Sequence, residues 1–315
     1  MDPKLKKLLG LIALKVVLVA VIVVSVTYSV MGAEPKAGPL VTVDWAKANL
    51  EKDGIVFLDV RNKRDYQKFH LPGAIHTNYG QDGWRIKKGK VSGMMPEPAR
   101  AAKLIGLLGI GNDDHVVIVP NGYGAGEMGV ATRIYWTFKV LGHDAVSILD
   151  GGLSTYMRNR KNPRTNQPTR RLAEKEFKFT LREELLATRE EVAKAIEDGT
   201  ALIDARADSF YLGINKSGSA RTAGTLPGAS NLPIDWLVER GGFFRVTDHL
   251  KTLFAAAKTP ATGKSIAFCN TGHQASVTWF VAHELLGNKE ISLYDGSLAE
   301  WTQDKSAPVE KKIKF

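Results

Sequence analysis

Phe57-Leu58-Asp59-Val60-Arg61 returns later in the chain as Leu202-Ile203-Asp204-Ala205-Arg206. Leu71-Pro72-Gly73-Ala74 returns as Leu226-Pro227-Gly228-Ala229, and Leu149-Asp150-Gly151-Gly152-Leu153 as Tyr294-Asp295-Gly296-Ser297-Leu298. The outer two pairs are each offset by 145 residues and the middle pair by 155. Equal offsets flanking a longer one indicate a duplicated domain with an insertion in its second copy, near Gly213–Arg221. The stretch between the copies, Arg158–Arg171, is rich in Asn, Pro, Thr and Arg and reads as a solvated linker. The expected domains are therefore 40–158 and 172–308, joined by 159–171. A chain of 315 residues accommodates two domains of ordinary size and an N-terminal extension.

Short apolar runs alternate with helical stretches in each copy. Ile55–Leu58, Val116–Val119 and Val146–Leu149 read as buried strands of the first copy, and Ala201–Ile203, Ser265–Phe268 and Ile291–Tyr294 as their counterparts. A helical segment, Gly129–Leu141 or Ala275–Leu286, separates the last two runs of each copy. Strand, helix, strand at this spacing predicts an α/β fold with a mainly parallel sheet flanked by helices in each domain. Ligands of such sheets bind beyond the carboxyl ends of the strands.

Residues 1–33 belong to neither copy. Lys4, Lys6 and Lys7 precede a strongly apolar stretch whose core, Val16–Val24, is uninterrupted, and small residues follow at Gly32 and Ala33. This pattern is that of an N-terminal apolar helix, either a signal peptide or a membrane anchor through residues 8–33. The lysines on its N-terminal side put the rest of the chain outside the cytoplasm, so the expected location is the periplasm, with tethering to the inner membrane if the segment is retained. The net charge of +10 sits partly at the two ends, where it suits membrane orientation and lipid headgroups. No zinc-finger or RNA-binding signature accompanies it, which argues against nucleic acid.

The chain has one cysteine, Cys269, so an internal disulfide is excluded. Cys269 follows the strand-like Ser265–Phe268 and precedes Asn270-Thr271-Gly272-His273-Gln274, after which a helix is predicted. A strand–loop–helix turn with a central glycine is able to point successive backbone N–H groups inward, forming an anion cup that stabilises a thiolate and a sulfur added to it. An inert buried thiol has no need of such a loop.

Asp-x-Arg, Leu-Pro-Gly-Ala, a strand ending in Cys and Asp-Gly-Ser-Leu-x-x-Trp, in this order, resemble the tandem-domain rhodanese family, the thiosulfate and 3-mercaptopyruvate sulfurtransferases. The resemblance covers nearly the whole chain after residue 40. It implies two rhodanese-like domains, a first copy without a nucleophile (Pro120-Asn121 stand where the second has Phe268-Cys269) and a catalytic second copy. It further implies sulfur carried on Cys269, a small anionic donor, a thiol or cyanide acceptor, no cofactor, and a monomer. Arg206 matches the Asp-x-Arg motif and is expected to bind substrate, with a buried salt bridge to Asp204 as the other reading. Arg221 is a weaker candidate. Asn270, Thr271, Gly272, His273 and Gln274 are expected to cradle the bound sulfur or anion. This loop has neither the cationic side chains of thiosulfate-type members nor the small residues and serine of mercaptopyruvate-type members. His273 is open to two readings, a proton donor or anion contact at the rim, or a solvated loop residue.

Related folds that handle phosphate through a cysteine need an arginine six residues after it, where this chain has Ala275, which argues against phosphate chemistry. One cysteine and seven histidines without ligand-spaced pairs argue against a metal site. Trp236, Trp279 and Trp301 are either cleft-lining or core. A non-catalytic sulfur- or partner-binding module is the alternative to an enzyme.

Overall fold

In a computed structural model the described residues are 37–169 and 171–313. Along the first copy run β1 (Leu40–Val41), β2 (Ile55–Asp59), β3 (Ile75–His76), an antiparallel hairpin of β4 (Ile86–Lys88) and β5 (Val91–Met94), then β6 (His115–Val119) and β7 (Val146–Leu149). The second copy contributes β8 (Leu186–Ala187), β9 (Ala201–Asp204), β10 (Ser230–Asn231), β11 (Ser265–Phe268) and β12 (Ile291–Tyr294). One sheet has the order β1-β7-β6-β2-β3 and the other β8-β12-β11-β9-β10, every pairing parallel. The orders match position for position, as duplication requires. The central strands β6 and β11 are covered on both faces, which is why they are mainly apolar runs (Val116–Val119 and Ile266–Phe268) without alternation.

The two copies share a core. The helix Ala125–Val140, which follows β6, has 13 buried residues and so no solvent face. It packs against the helix Ala275–Phe280, which follows β11. Tyr135 meets Phe280 edge-on at 4.9 Å, and the Thr132 and Ser276 hydroxyls are 2.8 Å apart across the pseudo-symmetric contact. The second helix continues as a wider turn, Val281–Leu285, of π-helical hydrogen bonding.

Residues 159–169 lie on the first copy: His70 and Thr165 exchange backbone hydrogen bonds, and the Tyr66 hydroxyl donates to Thr169 Oγ1 at 3.1 Å. Residues 172–182 continue along the same domain, where Lys175, Thr180 and Arg182 donate their N–H groups to Gly106, Leu141 and Val140 and Phe177 packs on Phe138. The insertion near Gly213–Arg221 is an irregular loop after the helix Asp208–Tyr211. The expected apolar helix of residues 1–33 lies outside the described residues, among which no helix is long and apolar enough to cross a membrane.

Each copy's Asp-Gly turn is capped by the other copy. Met95 N–H donates to Asp295 Oδ2 at 2.7 Å, and Phe244 N–H donates to Asp150 Oδ1 at 3.1 Å. Asp295 also meets the Arg133 guanidinium, whereas among the described residues Asp150 has no cationic side chain on its carboxylate. Burial therefore pushes Asp150 up to about 6, against the opposing pull of the Phe244 and Gly151 N–H groups, with a small further push from Glu239. A folded-state value above the unfolded one favours the folded protein at low pH, and that contribution is lost as pH rises through about 6. Chemical denaturation of the native protein and Asp150→Asn in parallel should show the native midpoint falling relative to the variant between pH about 4 and about 7; parallel profiles would refute the assignment.

Candidate active site

Cys269 stands at the carboxyl end of β11, the middle strand of the second sheet, and is 1% exposed. Every carbonyl of the loop after it is engaged. Cys269 and Asn270 accept from the N–H groups of Leu298 (3.2 Å) and Ala299 (2.9 Å), Thr271 from Arg85 Nη2 (2.8 Å) and Gly272 from Arg133 Nη1 (3.2 Å). His273 accepts from the Ser276 hydroxyl (2.7 Å) and Gln274 from the Val277 N–H (3.0 Å). The N–H groups divide differently. Those of Cys269 and Gly272 both donate to Ser297 Oγ at 3.1 Å, while those of Asn270, Thr271, His273 and Gln274 have no hydrogen bond among the described residues. Pinned carbonyls and unused amides are the makings of an anion-binding nest. The short helix that follows, Ala275–Phe280, is secondary to these loop amides.

Ser297 is the hinge of this arrangement. Its φ is +48°, a conformation costly for a residue with a Cβ, and its hydroxyl donates to Tyr294 O at 2.8 Å while accepting the two loop amides. The first copy has Gly152 at this position, also at positive φ (+58°) and free of that cost. The second copy thus carries a strained serine where the first has glycine, and the hydroxyl gained ties Cys269 and Gly272 to the Asp-Gly-Ser turn. Gly272 has φ +71°, and a Cβ there would collide with Arg133 Nη1 and Asp295.

Three further contacts reach the loop from the first copy. His273 lies on the Ala125–Val140 helix, and a Cβ on Gly129 would stand 2.8 Å from its Nε2. Nε2 is 3.3 Å from Gly126 O, which only accepts, so Nε2 carries the proton and Nδ1 accepts from the Tyr79 hydroxyl at 3.0 Å. Burial, reinforced by the nearby Arg85 cation and, more weakly, by Arg133, lowers His273 to about 4, while the Gly126 carbonyl opposes this. Tyr79 is pushed up to about 12 by burial. His273 is therefore a neutral strut between the copies, neither a rim proton donor nor a solvated loop side chain.

Arg206 is 2% exposed and forked onto Asp204, with Nη2 also donating to Gly224 O at 2.7 Å. Arg61 makes the same pair with Asp59 and donates to Phe69 O in the copy without a thiol. A pair common to both copies belongs to the fold. Of the two readings of Arg206, the structure shows the buried salt bridge: the guanidinium expected to bind substrate is already paired and reaches the loop only through Asn270 Oδ1 at 3.2 Å. Arg221 is exposed and donates to Gln303 Oε1, away from the loop's hydrogen bonds. Trp279 and Trp301 are core, and Trp236 is 39% exposed. Ser297, Tyr79, Arg85 and Arg133 escaped the sequence reading. The Gly152/Ser297 difference between the copies was a usable signal for the first; nothing local marks the other three.

Ser297→Gly should relieve about 1–2 kcal/mol of backbone strain yet leave two buried N–H groups without an acceptor at about 1–3 kcal/mol each, so denaturation should show a net loss of stability. NMR titration of the His273 ring should show no inflection between pH about 5 and about 8, because the ring protonates only near about 4; a midpoint near that of free histidine would contradict the strut.

Residues 42–159 and 188–304 each match the rhodanese-like domain family. A Saccharopolyspora erythraea protein provisionally named a thiosulfate sulfurtransferase is 33% identical over 282 residues, covering 86% of this chain and 95% of that protein. The thiosulfate sulfurtransferase of Bos taurus is 33% identical over 244 residues, covering 76% of this chain and 79% of that one. Among solved structures, the 3-mercaptopyruvate sulfurtransferase SseA of Escherichia coli superposes with a TM-score of 0.69 at 26% identity, covering 84% of this chain and 100% of that one. With both copies matched by the family and its relatives aligned across both domains, the chain belongs to the rhodanese family as a two-domain member.

Proposed function

We propose that this protein is a sulfurtransferase that carries sulfane sulfur as a persulfide on Cys269. The observation that carries the reading is the loop's hydrogen-bond balance: six consecutive carbonyls held away and four amides left unused around the chain's only thiol. The names of its relatives support the same chemistry. The donor is a small anion of the thiosulfate or 3-mercaptopyruvate type, attracted by the unused amides of Asn270, Thr271, His273 and Gln274.

In the first half-reaction the Cys269 thiolate attacks the outer sulfur of the donor. The bond between that sulfur and the rest of the donor breaks, and its electron pair leaves with the departing anion, sulfite in the case of thiosulfate. In the second, cyanide or a thiolate attacks the outer persulfide sulfur, and Cys269 returns as thiolate. Two half-reactions through a covalent intermediate give ping-pong kinetics. We further propose that residues 1–33 direct the catalytic unit to the periplasm, as a removable signal or an inner-membrane anchor; the mass of the mature protein distinguishes the two.

Incubation with thiosulfate or mercaptopyruvate should add the mass of one sulfur atom to the native protein and none to Cys269→Ser, with turnover to cyanide lost in the variant. Equal turnover in the two proteins would refute the Cys269 persulfide, and neither sulfur uptake nor turnover in the native protein would favour a non-catalytic sulfur- or partner-binding module.

A further inference from the structure

The structure assigns Arg85 and Arg133 of the first copy as positioning residues that set the direction of the amides around Cys269. This inference rests on the persulfide reading of the site. In a planar trans peptide the N–H points opposite to the C=O of the same unit, and among the described residues no peptide bond is cis. Holding a carbonyl on one side therefore aims the following amide to the other. Arg85 Nη2 holds Thr271 O at 2.8 Å, and the N–H of that unit, on Gly272, is the one that meets Ser297 Oγ. Arg133 Nη1 holds Gly272 O at 3.2 Å, and the N–H of that unit, on His273, is one of the unused four.

Both arginines are themselves fixed. Arg85 Nε donates to Gly93 O at 2.9 Å, and its guanidinium lies 5.7 Å from the Tyr79 ring centroid. Arg133 is 1% exposed, ion-paired to Asp295 through Nη2, and stacked over Trp136 at 4.5 Å. Each therefore has an anchor outside the loop whose carbonyl it holds. The first copy supplies the contrast. Its corresponding loop, Asn121–Gly126, has no thiol, and among the described residues no arginine donates to its carbonyls; Asn121 O and Gly122 O accept from Ser154 of the same domain. Among the described residues, two guanidinium clamps occur on the loop that carries the cysteine and none on the loop that lacks it. The domain without a nucleophile thus orients the donors of the domain that has one.

The test compares Arg85→Met, Arg85→Lys and Arg133→Lys with the native protein in the thiosulfate–cyanide reaction. The lysine at 133 keeps a cation for Asp295 but cannot fork onto both Asp295 and Gly272 O. Arg85→Met and Arg133→Lys should lower kcat about tenfold with the KM for thiosulfate changed less than about twofold, because misdirected amides cost the transition state more than the ground state. Arg85→Lys, which still donates to Thr271 O, should restore most of the loss. Native kcat in Arg85→Met would overturn the inference, and so would a raised KM at unchanged kcat, which marks direct donor binding. Amide hydrogen exchange over residues 269–276 is followed on the same proteins without any sulfur donor, and should be faster in both clamp variants. If the native protein takes up no sulfur, the persulfide reading fails while the exchange still decides the clamp; unchanged exchange in Arg85→Met overturns it.

Discussion

A backbone that leaves four amides unused beside a buried thiol must hold its carbonyls firmly, and the rest of the structure serves that requirement. Without pins on the carbonyls the loop after β11 would satisfy its own N–H groups by turning them outward or winding into helix. Cys269 O and Asn270 O are bound by the N–H groups of Leu298 and Ala299, just after the Asp-Gly-Ser turn, His273 O and Gln274 O by the start of the following helix, and Thr271 O and Gly272 O by arginines of the other domain. The constraint thus spans both copies, and a single rhodanese-like domain of this chain would lack two of the six pins.

Duplication explains how such a site came to depend on two domains. The copies meet through equivalent helices and cap each other's Asp-Gly turns with equivalent N–H groups, Met95 on Asp295 and Phe244 on Asp150. On this shared frame the differences are few and local. The second copy has Cys269, Ser297 at positive φ and the Arg133–Asp295 pair. The first has Asn121, Gly152 and an Asp150 that no cation meets among the described residues. Backbone strain at Ser297 and desolvation at Asp150 mark the two ends of that asymmetry, one at the proposed active site and one at its vacated counterpart.

Polar groups at the domain contact act mainly on geometry. His273 is held neutral between Gly126 and Tyr79, and Arg206 is neutralised by Asp204, so neither offers a mobile proton or a free charge to a donor anion. An anion approaching Cys269 meets fixed backbone dipoles. Fixed dipoles suit a site that must hold the thiolate, the donor and the persulfide in turn, since a persulfide carries its charge on one soft sulfur and has no pair of oxygens for a bidentate clamp.

The sequence by itself determined the duplication, the α/β class with its mainly parallel sheets and the position of Cys269 after a buried strand, because these follow from local signals: apolar runs, motif offsets and turn glycines. It also held the clue to Ser297 in the one-residue difference between Asp150-Gly151-Gly152 and Asp295-Gly296-Ser297. Only the tertiary structure decided what Arg206 and His273 do and that Tyr79, Arg85 and Arg133 belong to the site. Arg133 and Gly272 are 139 residues apart in the chain, and Arg85 and Thr271 are 186 apart. No periodicity or spacing encodes such a meeting; it exists because two domains pack face to face and put the side chains of one against the carbonyls of the other.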